Sequence, residues 1–178
     1  MDINSFIQTI TVYAIPLVLA ITIHEAAHGY VARYFGDQTA WMLGRVTLNP
    51  MKHIDPVGTI LVPAVLLLGS AVSGLGGIVF GWAKPVPVNF RNLRNPKQSM
   101  IWVAAAGPGA NLLQAIIWAI LLKIIYSIGL TENYFYEVCL AGINVNIMLM
   151  ALNLIPIPPL DGGRILTGLL PSGLAYKY

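Results

Sequence analysis

Residues 3–35 read INSFIQTITVYAIPLVLAITIHEAAHGYVARYF, and from Ile3 to Ile23 this stretch carries no charge. A helix needs about 20 apolar residues to cross the hydrocarbon of a bilayer. Three further charge-free runs follow, Pro56 to Ala83, Ser99 to Leu122 and Val138 to Leu160. Of the 178 residues 57% are hydrophobic and 10% charged, with a mean hydropathy of +0.73. Soluble domains sit near about 45–50% apolar and 25% charged. The sequence therefore describes an all-α polytopic membrane protein. Its length fits one domain over residues 1–178.

Composition removes other classes. The net charge of +3 comes without a basic stripe interleaved with aromatics, so nucleic acid is not an expected partner. The single cysteine, Cys139, lies in an apolar run and excludes a disulfide framework or a cysteine-built metal site. No Lys or Arg precedes the first apolar run, so it reads as a retained helix, not a signal peptide.

Outward from the first stretch, Gly36-Asp37 marks a helix stop, and Pro16 marks a kink within a helix over about Ser5 to Phe35. Val46-Thr47-Leu48, between Gly44 and Asn49-Pro50, reads as a short strand. Ala83 to Asn89, with prolines at alternate positions, reads as an extended edge strand. Together the two strands would offer an edge on which an unwound peptide could pair. Core helices follow over about Gln98–Ile128 and Tyr136–Ile155, and Pro156 to Leu170 opens with a proline-rich stop and an Asp161-Gly162-Gly163 turn.

Arg33, Arg45 and Lys52 follow the first helix, and Lys84, Arg91, Arg94 and Lys97 precede the next core helix. The positive-inside rule puts both groups at the cytoplasmic face, with Asp2, Glu132 and Glu137 opposite. On that reading Val57–Phe80, rich in glycine, re-enters the membrane; a plain four-span bundle is the alternative. The expectation is three core transmembrane helices, a further apolar segment that re-enters or spans, and short β-strands at the cytoplasmic side.

The first helix also carries chemistry: His24-Glu25-Ala26-Ala27-His28. Residues four apart on a helix lie about 40° apart around the axis. Two imidazoles so placed can bind one Zn²⁺, with the intervening Glu in reach of a water the metal activates. Ionisable groups inside an apolar helix cost about 2.5–3.5 kcal/mol each on insertion scales, and a metal offsets that cost. A catalytic zinc takes three protein ligands. Asp37, His53 and Asp55 are near candidates for the third and Asp161 a distant one, with a helix N-cap as the alternative use of Asp161.

Several motifs occur in one order along most of the chain: His24-Glu25-x-x-His28, GRVTLNPMKHIDP at 44–56, GWAKPVPVN at 81–89, AGPGAN at 106–111, and Asn153 through Gly163 ending in Leu-Asp-Gly. In these the chain resembles the site-2 protease family of intramembrane zinc metalloproteases, in its compact bacterial and archaeal branch without PDZ or CBS domains. The resemblance implies that His24, His28 and Asp161 bind one Zn²⁺, that Glu25 is the catalytic acid/base, and that Asn153 contacts substrate. It implies hydrolysis of peptide bonds in or near transmembrane segments of a membrane-protein substrate, in a multi-pass protein of the cell membrane. The chain stops at Tyr178, sooner after the Asp-Gly-Gly turn than relatives often do, which reads as a shortened C-terminus. A zinc transporter would have no need of Glu25, and an inactive helix-binding relative no need of an intact metal site; both remain alternatives. Substrate identity and oligomeric state are not legible.

Overall fold

The computed structural model describes residues 3–62, 65, 82–130 and 132–175. Three long apolar helices dominate it: α1 (Ile3–Tyr34), α3 (Pro96–Ser127) and α4 (Asn133–Asn153). Each is long and apolar enough to cross a membrane. Short helices are α2 (Thr39–Met42), α5 (Asp161–Leu169) and α6 (Ser172–Ala175). α1 continues through Pro16 without a break. It ends at Gly36, whose φ of 113° is costly for any residue with a Cβ. There Asp37 N–H donates to Ala32 O at 2.9 Å and Gly36 N–H to Arg33 O at 3.1 Å, the pair of bonds that closes a Schellman motif.

The helices alternate in direction. Arg94 N–H, just before α3, donates to Phe35 O, just after α1, at 3.0 Å. At the other end Gln8 Nε2 donates to Glu137 Oε2 at 3.2 Å, and Tyr134 O–H to Thr11 O at 3.3 Å. Arg33, Arg45, Arg91, Arg94 and Lys97 thus gather at one end of the bundle, and Glu132 and Glu137 at the other, the separation expected from charge. α3 is central and packs against α1, α4 and α5.

The bundle buries polar side chains among small apolar ones and exposes large apolar side chains on its outside. Asn111 and Asn146 are fully buried, while Ile10, Leu113, Ile116, Ile120 and Ile124 are about half exposed. Lipid removes the usual reason to hide such side chains, while backbone and amide groups must be satisfied internally.

The expected short β-strands are not found: among the described residues there is no strand. The two stretches do meet, since Val46 and Val86 share a buried cluster with Ala40. They meet through side chains, and the backbone donors of the proline-rich stretch go elsewhere. Lys84 N–H donates to His53 O, Val86 N–H to Glu25 and Asn89 N–H to Asp37. Pro85 and Pro87 have no N–H to offer. Extended backbone without a ladder partner is not a strand, so the expected pairing edge is absent as such. The expected re-entrant or spanning passage of Val57–Phe80 lies outside the described residues except for its first part. There Asp55 caps a π-helical turn, Pro56–Leu61, by accepting from Val57 N–H and Gly58 N–H.

Candidate metal centre

His24 and His28 sit one turn apart on the inward face of α1, 7% and 6% exposed. Their Nε2 atoms are 3.1 Å apart. Asp161 opens α5 and is 5% exposed, and its Oδ2 lies 3.2 Å from each Nε2. The three atoms form a nearly equilateral triangle, built from residues at opposite ends of the chain. Asp161 does not cap its helix, because the N-cap position belongs to Leu160. Its carboxylate turns to the histidines instead, with Arg164 at 3.9 Å from the other oxygen.

Three observations test whether a metal fits. Asp161 Oδ2 is buried without a hydrogen-bond partner, a costly condition that a cation relieves. Tetrahedral zinc with bonds of about 2.0–2.1 Å separates its ligand atoms by about 3.3 Å, close to the spacing of the triangle. Gly107 of α3 faces it, and a Cβ there would come within 2.5 Å of both Nε2 atoms. Only glycine leaves that space open.

The other ring nitrogens are also occupied. His28 Nδ1 lies 2.7 Å from Val103 O, and His24 Nδ1 lies 2.5 Å from Asn111 Oδ1. Glu25, half-buried and next to His24 on α1, accepts from Val86 N–H through its Oε2 at 2.8 Å.

The family model of Peptidase family M50 matches residues 12–145. The chain belongs to peptidase family M50. This is the site-2 protease family, whose kind of function is intramembrane proteolysis. The chain is 42% identical over 171 residues to "Putative zinc metalloprotease YwhC" of Bacillus subtilis, covering 92% of this chain and 71% of that one. Two proteins of the same printed description are Rip2 of Mycolicibacterium smegmatis and MJ0611 of Methanocaldococcus jannaschii. Rip2 is 31% identical over 153 residues, 82% of this chain and 52% of its own length. MJ0611 is 27% identical over 146 residues, 80% of this chain and 62% of its own. The chain thus spans about half the length of Rip2. No solved structure matches it.

The M50 match ends before Asp161, so geometry, and not the family match, brings that residue to the histidines. The remaining candidates are employed elsewhere. Asp37, fully buried, accepts from Thr39 N–H, Thr39 O–H, Asn89 N–H and the Asn92 amide. His53 is 2% exposed and bonds Thr47 O through Nε2, so it is a packed residue and not a solvated one. Asp55 is a cap. Asn153, the last residue of α4, is half-buried and donates to Leu149 O at 2.9 Å. Among the described residues only His24, His28 and Asp161 form a group able to hold a metal.

Sequence reading missed the contacts of Asn111, Gly107 and Val86. Asn111 bridges α3 to α4, donating to Asn146 Oδ1 at 2.9 Å. Its spacing of four from Gly107 was the signal that both share one helix face.

Proposed function

We propose that this M50 protein is an intramembrane zinc metalloendopeptidase, cleaving single-span or otherwise membrane-inserted protein substrates in or near their transmembrane segments. The observation that supports the reading best is the buried triangle of two imidazole nitrogens and one carboxylate oxygen, spaced for one Zn²⁺, with an acid side chain at the position between the two histidines. His24, His28 and Asp161 would hold the ion. Bound there, Zn²⁺ supplies Lewis acidity and a water activated for attack on a carbonyl.

Glu25 is the acid/base of this proposal. Its Oε2 is committed to Val86 N–H, so Oε1 is the oxygen left to take the proton from the attacking water and return it to the leaving amine. The Val86 bond also restricts the carboxylate to one orientation, which reduces the entropy lost on reaching the reactive geometry. Asn153 is the candidate substrate contact. It spends one amide hydrogen on Leu149 O, and its second can meet a backbone carbonyl or the oxyanion. A substrate helix must unwind before its peptide bond is accessible, because its backbone groups are paired within the helix. The basic end of the bundle is the cytoplasmic end on the charge rule, residues 1–178 act as one unit, and the host membrane is the cell membrane.

The test is zinc content and cleavage on protein purified in detergent. Wild type should carry one zinc per chain and cut a single-span substrate. Asp161→Ala should lose the zinc. Glu25→Gln should keep it and cut about 10²–10⁴-fold more slowly. Full zinc in Asp161→Ala would remove the third ligand from this scheme, and cleavage undiminished in Glu25→Gln would remove the acid/base. Metal flux into liposomes that survives Glu25→Gln would point to a transporter instead.

A further inference from the structure

A neutral imidazole carries its proton on one nitrogen and a lone pair on the other, and only the lone pair can bind a metal. For His28 the choice is made by the backbone. Val103 O can only accept, so Nδ1 must carry the hydrogen and Nε2 the lone pair. For His24 the partner is an amide, which can present either end to the ring.

The amide's orientation can be traced through three helices. Asn146 Nδ2 donates to Gly142 O at 2.9 Å, which leaves Asn146 Oδ1 as an acceptor. Asn111 Nδ2 faces that oxygen at 2.9 Å and Ala20 O at 3.3 Å. Two acceptors demand the donor end of Asn111, so its Oδ1 is the end that meets His24 Nδ1. Both asparagines have no exposure at all, so water cannot substitute for any of these bonds. Bridging α3 to α4 requires only the bond between the two asparagines. The bond to His24 is additional, and it is the shortest of the set.

We infer that Asn111 is a positioning residue for the metal centre: anchored by Ala20 O and Asn146, it holds His24 in the tautomer and ring orientation that aim its Nε2 lone pair at the point shared with His28 and Asp161. Outer partners of this kind typically change metal affinity 10–100-fold when removed.

Because this role presupposes the zinc site proposed above, the experiment measures both. Zn²⁺ alone is titrated into the full metal-free chain in detergent, against a chromophoric chelator, for wild type, Asp161→Ala, Asn111→Leu and Gln114→Leu. The expected result is tight binding in wild type that is lost in Asp161→Ala. Asn111→Leu should bind about 10–100-fold more weakly. Gln114→Leu, which removes another buried amide of α3 three residues away, should bind as wild type. Asn111→Leu binding as wild type overturns the positioning role while leaving the zinc site intact. So does a Gln114→Leu as weak as Asn111→Leu, since packing alone would then explain both. Wild-type binding indifferent to Asp161 overturns the zinc site and this role with it. Should Asn111→Leu fail to fold, the Co²⁺-loaded wild type decides. Two solvent-protected imidazole N–H resonances are expected by NMR, one per histidine, and a single one overturns the role of Asn111.

Discussion

The membrane-spanning bundle and the irregular chain at its basic end both bury polar groups, but they satisfy them differently. In the bundle, His24, His28, Asn111 and Asn146 are few, rigidly spaced on helices, and matched to one another across helix faces. In residues 36–61 and 82–95 one carboxylate does the work of a ladder. Asp37 accepts four hydrogen bonds from Thr39, Asn89 and Asn92, and so ties the proline-rich stretch to the end of α1. Helical spacing builds the metal centre; capping and carboxylate–amide bonds shape the chain that covers it. The bond from Val86 N–H to Glu25 is where the two regions meet.

The sharpest way to break the bundle's side of this comparison is Gly107→Val. Its side chain would fill the space before both Nε2 atoms, and zinc binding should be abolished, as read by metal analysis of purified protein. Asp37→Ala attacks the other region. Leaving its buried donors unpaired should cost about 3 kcal/mol, visible as a lower Tm, while zinc per folded chain stays at the wild-type level. Zinc lost in that variant would mean that the two regions are not separable.

Asp37 also has a pH signature. Burial alone would raise its carboxyl, but the bonds from Thr39, Asn89 and Asn92 outweigh that and hold it below its ordinary value near 3.8. A depressed native pKa gives stability that is complete above the unfolded value and lost as pH falls through the native one. Wild type should therefore lose stability below about pH 4 with a steeper slope than Asp37→Asn, measured by thermal denaturation across pH 2–6.

Val86→Pro tests the junction. It deletes one N–H in a stretch already rich in proline, and loss of a hydrogen bond to a charged group should lower kcat about 10-fold. Val86→Ala, which keeps the N–H, should stay near wild type. Equal losses in both would assign the effect to the Val46–Val86 contact instead. The smallest effect is expected from Asp55→Ala, which removes a cap and should cost about 1 kcal/mol with unchanged zinc.

Much of this contrast can be traced to the sequence. The long helices were legible from charge-free runs, and their ends fell within a few residues of those expected, Pro96 and Ser127 against Gln98 and Ile128 for α3. His24 and His28 were legible because helical spacing is local. Asp161 was open between ligand and cap, since nothing local links residue 28 to residue 161; the resemblance named it and the fold brought it to the histidines. The strands were misread for a physical reason. Alternating prolines and β-branched residues report extended backbone, whereas a strand depends on distant donors that here go to Glu25, Asp37 and His53. The same limit hid the role of Asn111, whose partners come from two other helices.

The triangle of ligands has a consequence in time. Roughly 130 residues separate His28 from Asp161, which at ribosomal speeds of about 5–20 residues per second is on the order of ten seconds of synthesis. During that interval the first helix is already available to insert, with both histidines and the acid in place but no third ligand. On the proposed mechanism the nascent chain stays unarmed until α4 has crossed, when α5 delivers Asp161.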